Sequence, residues 1–172
     1  MKKILFLTFM ILFYTTSVNA YTVTHTKDGE MQKLITSIGF KILNANKIPH
    51  RTIFTLSDKK AINAVTYLNT REISVYKGLL PYIDKEDELA AIIAHEIGHA
   101  VESYQGILNG AFSGFKMSLA SKKYEYKADK DGIDYMVKAG YNPVAMIVVG
   151  NKIFPQNNGH RRTSSTSFSL AR

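Results

Sequence analysis

His95, Glu96 and His99 stand in the run His95-Glu96-Ile97-Gly98-His99, an HExxH pattern. On a helix of about 3.6 residues per turn, positions four apart lie about 40° from one another around the axis, so both imidazoles can converge on one ion. Glu96 is turned about 100° from His95 and sits beside that ion, where its carboxylate can take a proton from a water. The arrangement suits metal-assisted hydrolysis. The flanking stretches, Ala90 to Ala94 and Ile97 to Val101, are apolar around the second histidine. Two imidazoles and a carboxylate in such surroundings are costly without a partner, and a metal is the natural one.

Zinc takes three protein ligands in a hydrolytic site and keeps a fourth position for water. The longer pattern HExxHxxGxxH is excluded as the source of the third, because Glu102 and Gln105 occupy the region where its Gly and His would fall. Glu125 and Asp129, in Tyr124-Glu125-Tyr126-Lys127-Ala128-Asp129, are four apart and share a helical face. One of the two can bind the metal while the other hydrogen-bonds a histidine from behind.

The elements that must hold these groups are legible from periodicity. Residues 86 to 104 open with Glu86, Asp87 and Glu88, which suit a helix N-terminus, and continue with Leu89, Ile92, Ile93 and Ile97 on one broad face. A second helix carrying Glu125 is expected over residues 117 to 139, ended by Gly140 and the Asn142-Pro143 turn. Residues 29 to 46 recur at helical spacing after Asp28, and Ala145 to Val149 give a further short helix. Between them Thr52 to Leu56, Ala61 to Leu68 and Glu72 to Tyr76 cluster β-formers and predict three short strands of one small sheet. Gly106, Gly110 and Gly114 punctuate an apolar stretch, which suits a loop or lid as well as a close helix contact.

The whole chain has 172 residues, a net charge of +8, 45% hydrophobic residues, and neither Cys nor Trp. A disordered tail, a disulfide scaffold and a thiol-ligated zinc finger are thereby excluded, and the length suits one domain. Lys2 and Lys3, the apolar run Ile4 to Tyr14 and the small residues ending at Ala20 read as a secretory signal, so residues 1–20 are expected to be removed and the mature chain exported. The domain is then expected to cover residues 21–155, and residues 156–172 to form a flexible polar tail with little to bury. The densest basic group, Lys116 to Lys130, is interleaved with Glu125 and Asp129, so it makes no single-sign stripe and no nucleic-acid partner is expected.

Several separated blocks resemble the M48 metallopeptidases, gluzincins related to bacterial periplasmic quality-control proteases. The matching text is Asn63-Ala64, Lys77-Gly78-Leu79-Leu80, Glu86 to Ala91 leading into HEIGHA, and YEYKADKDGIDYMVKAGYNP. The resemblance implies an α+β fold, a mostly helical zincin-like domain with a small β-sheet beside the HExxH helix. It implies one Zn²⁺ held by His95, His99 and Glu125, with Glu96 as catalytic base and Asp129 supporting a zinc-bound histidine. It further implies a substrate strand added to a sheet edge near residues 61 to 76.

Three departures stand out. Leu68-Asn69-Thr70 replaces the family's Pro-Gly-Gly, only 25 residues separate His99 from Glu125, and Gly159-His160-Arg161-Arg162 stands where the family often shows His-Pro with a downstream Arg. His160 is therefore a candidate for a transition-state or regulatory role set in a Ser/Thr-rich tail, and a Tyr or Arg161 could equally stabilise an oxyanion. The function expected is a zinc endopeptidase acting on unfolded or misassembled exported proteins in the periplasm. The alternative is a zinc-bound chaperone or assembly factor of the same fold that holds clients without cutting them, and the apolar glycine-punctuated stretch offers either one peripheral contact with a membrane.

Overall fold

The computed structural model describes residues 28–108 and 121–154. Residues 1–20, expected to be a signal, Gly110 and Gly114, His160, Arg161 and the C-terminal residues from 155 lie outside the described residues.

The chain opens with α1 (Asp28–Ala45), whose Met31, Ile35, Ile38 and Ile42 are fully buried as their spacing requires. Three strands follow, β1 (Ile53–Ser57), β2 (Ala64–Tyr67) and β3 (Glu72–Tyr76), and then a 3-10 helix over Lys77–Tyr82. The helices α2 (Glu86–Leu108), α3 (Ser121–Lys138) and α4 (Val144–Ile153) complete the described chain. The architecture is the expected α+β one, mostly helical with a small sheet. Besides the unanticipated 3-10 helix and one-residue shifts such as those in the bounds of α1 and β1, three elements differ in extent from the sequence reading. The middle strand is confined to Ala64–Tyr67, α2 runs past Gly106 to Leu108, and α4 extends to Ile153.

The sheet order is β1-β3-β2, with β1 parallel and β2 antiparallel to β3. Side chains alternate across it. Phe54, Ala64, Thr66, Ile73 and Val75 face the helices and are buried, while Thr55, Tyr67, Glu72 and Ser74 face the other way.

The two edges are treated differently. On the β1 side, Gln32 of α1 donates to the Phe54 carbonyl at 2.8 Å and accepts from the Leu56 N–H at 2.7 Å, so an amide side chain occupies hydrogen-bonding groups that another strand would use. Among the described residues, no strand pairs with the free flank of β2. That strand packs directly on α2.

The helix α2 is the centre of the core, with Leu89, Ile92, Ile93 and Ile97 all essentially inaccessible to solvent. Its acidic first turn is anchored by α4, where Lys152 Nζ lies 2.7 Å from both carboxylate oxygens of buried Glu88. The carboxylate of Asp87 accepts the Asn142 N–H at 3.1 Å and holds the α3–α4 connection against the same end.

Candidate metal centre

His95, Glu96 and His99 project from the buried middle of α2, with at most 2% of any of them exposed. The facing helix α3 presents Glu125, Ala128, Gly132 and Met136, a buried stripe at helical spacing. Small residues let the two backbones close. A Cβ on Gly98 would stand 3.0 Å from the Ala128 Cα, and one on Gly132 would stand 3.2 Å from the His95 backbone nitrogen. This close approach brings the Glu125 carboxylate to the histidine pair.

His95 Nε2 and His99 Nε2 are 3.1 Å apart, and Glu125 places Oε2 3.6 Å from the first and Oε1 3.6 Å from the second. Donor atoms bound about 2.0–2.2 Å from a shared tetrahedral ion lie about 3.3–3.6 Å from one another, so the spacing fits a small divalent cation. The oxygen Glu125 Oε2 is buried and has no hydrogen-bond partner, which is costly for a carboxylate unless a cation takes that place. The three residues form the one group with metal-binding geometry among the described residues.

Asp129 stands behind His95, its Oδ1 2.8 Å from Nδ1. A carboxylate only accepts, so the ring hydrogen sits on Nδ1 and the Nε2 lone pair is turned toward His99 and Glu125. Electrostatics of the metal-free pocket follow from the same contacts. Burial alone would pull the His95 imidazolium down, but Asp129 and Glu125 outweigh it and push its pKa up to about 9. Burial pushes the Glu125 carboxyl up, and the two imidazoles overcome that and hold it below its usual range.

Glu96 is held by a residue that sequence reasoning did not single out. Thr66 of β2 donates its hydroxyl hydrogen toward Glu96 Oε2 at 2.7 Å, with the Glu96 main-chain carbonyl 3.0 Å away. The available signal was a hydroxyl-bearing residue at a helix-facing position of a short strand. Of the candidates named from sequence, the structure brings together His95, His99, Glu125, Glu96 and Asp129. A groove of about 700 Å³ lies on the opposite face of the sheet, lined by Thr55, Lys59, Tyr67 and Glu72, and includes none of these five.

In a zincin-like α+β domain, two histidines and a glutamate converging beside a second glutamate make a candidate metal centre of the kind metal-assisted hydrolysis needs. Residues 27–108, a little under half of the chain, match the model described as Peptidase family M48, to which the chain is similar over that segment. The matched segment ends before α3, so the place of Glu125 rests on the helix packing. The chain is 24% identical over 165 residues to the Beta-barrel assembly-enhancing protease of Escherichia coli (strain K12), covering 75% of this chain and 34% of that protein. To the Beta-barrel assembly-enhancing protease of Yersinia pestis it is 25% identical over 155 residues, covering 69% and 32%. The chain thus spans about a third of the length of these curated relatives.

Proposed function

We propose that the protein is a zinc-dependent endopeptidase that hydrolyses unfolded or misassembled exported proteins, acting in the periplasm after loss of its first twenty residues. The observation that carries this reading is the convergence of His95, His99 and Glu125 on one point with Glu96 alongside. The name of the relatives, Beta-barrel assembly-enhancing protease, supports the client class.

Bound at these three residues, zinc supplies Lewis acidity toward a peptide carbonyl and lowers the pKa of a water toward about 7. The chain's own groups do the rest. Asp129 fixes the tautomer that turns His95 Nε2 inward. Glu96 takes the proton of the attacking water and returns it to the departing amine. An extended substrate lies along the free edge of β2, held by main-chain hydrogen bonds, which makes side-chain selectivity broad.

The test uses the wild-type chain, Glu96→Gln and Glu125→Ala, each assayed for zinc content and for cleavage of casein. Glu96→Gln should keep one zinc and lose cleavage, and Glu125→Ala should lose the zinc. A wild-type protein that binds one zinc and cuts no unfolded client would falsify the endopeptidase reading and leave the holding function in its place. Equal zinc in the wild type and Glu125→Ala would remove Glu125 as a ligand.

A further inference from the structure

Thr66 occupies a helix-facing position of β2, beside Ala64 on the same strand and opposite Ile73 on β3, and it is only 5% exposed. Packing gives no reason for a hydroxyl there, because Val has nearly the same shape and no polar atom to satisfy. A buried hydroxyl without a partner is costly, so its destination decides its role. It has two acceptors, both on Glu96. The Glu96 carbonyl lies inside α2, where the helix already gives it an N–H from one turn ahead. The carboxylate oxygen is nearer, at 2.7 Å against 3.0 Å, and among the described residues Thr66 supplies its hydrogen bond.

We propose that Thr66 is a positioning residue for Glu96, its hydroxyl on the edge strand fixing the direction in which the catalytic carboxylate points. The proposal rests on the reading of Glu96 as the base of the endopeptidase. With Oε2 tethered, the carboxylate no longer turns about its terminal bond, and the second oxygen keeps one orientation toward the reacting water. The tether comes from the strand whose free flank receives the substrate backbone. Substrate and base are therefore referred to the same four-residue element, and a slip of β2 against α2 displaces both.

The experiment compares the zinc-loaded wild type with Thr66→Val and Thr66→Ser, reading kcat and KM on casein, zinc affinity by chelator competition, and melting temperature. Thr66→Val should lose about tenfold or more in kcat, as expected for a hydrogen bond to a charged group, with KM within about twofold and zinc affinity unchanged. Thr66→Ser, which restores the hydroxyl, should recover most of the rate. Melting is read as a cycle with Glu96→Ala, in which Thr66→Val should cost less than it does in the wild type. Thr66→Ala replaces the valine variant throughout if the latter does not fold.

An unchanged kcat in Thr66→Val, an equal loss in Thr66→Ser, or additive melting shifts would each overturn the proposal. Because the melting cycle needs no activity, it decides the Thr66–Glu96 bond even if the wild type cuts no client, so the two readings fail separately.

Discussion

The Asp129 carboxylate meets His95 at Nδ1, 2.8 Å away, on the edge of the ring turned from His99 and Glu125. It therefore acts on the metal centre without entering it. Removing it by Asp129→Ala frees the ring to rotate and to change tautomer, and zinc affinity should fall about 10- to 100-fold. Asp129→Asn keeps a carbonyl acceptor and should lose less. Chelator competition measures both, and an alanine variant with wild-type affinity would show that packing alone orients the ring.

The pH dependence of the metal-free protein follows from two opposite shifts. The folded pKa of His95 is raised from 6.5 to about 9, so its contribution to stability is fully present below pH 6.5 and is lost as pH rises through about 9. The folded pKa of Glu125 is lowered, so its contribution is present above the ordinary carboxylate value and is lost as the pH falls through the depressed one. The chelated protein should therefore melt at a lower temperature at pH 9.5 than at pH 6. Zinc requires the His95 Nε2 lone pair, so loading between pH 6.5 and 9 should release a proton and remove most of the alkaline decline. Melting curves with and without chelator, and calorimetric titrations in two buffers of different ionisation heat, check both signs. A flat metal-free profile from pH 6 to 10 would contradict the first.

Gly98→Ala sets helix propensity against close packing. Alanine favours an exposed helix by about 1 kcal/mol over glycine. At Gly98, however, the new Cβ would meet the Ala128 Cα at 3.0 Å and the Ala128 carbonyl at 3.1 Å, backbone atoms that cannot rotate aside. The helices must part by a few tenths of an ångström, withdrawing Glu125 from the imidazoles. The variant should lose about 1–3 kcal/mol, as overpacking does, and bind zinc more weakly. Gly29→Ala in α1, with nothing within 4 Å of its added methyl, should be neutral or stabilising and serves as control. Equal melting temperatures for the two variants would refute the close-approach argument.

Much of this centre could be read before any coordinates because it is built on periodicity. The HExxH face of α2 and the shared face of Glu125 and Asp129 follow from 3.6 residues per turn. Periodicity cannot say which of the two acids is the inner one, since both project from α3 toward α2. The separation comes from depth along the helix pair, with Glu125 level with both Nε2 atoms and Asp129 behind His95.

The sheet was less legible for a related reason. Three strands could be anticipated from their β-formers, but the parallel pairing of β1 with β3 joins residues far apart in sequence and leaves no local mark. Gln32 against the backbone of β1 and Thr66 against Glu96 are likewise tertiary contacts, each depending on how an element is rotated when it docks. The 3-10 helix over Lys77–Tyr82 has no apolar period of its own.

The donor set is divided between α2 and α3, and this split fixes when the cage can close. A chain that has folded only as far as the HExxH helix owns two imidazoles and a proton acceptor, but it lacks the third arm of the cage. The three-residue metal site thus exists only where α3 is docked on α2. The close approach at Gly98 and Ala128 is what lets the two halves of that cage meet.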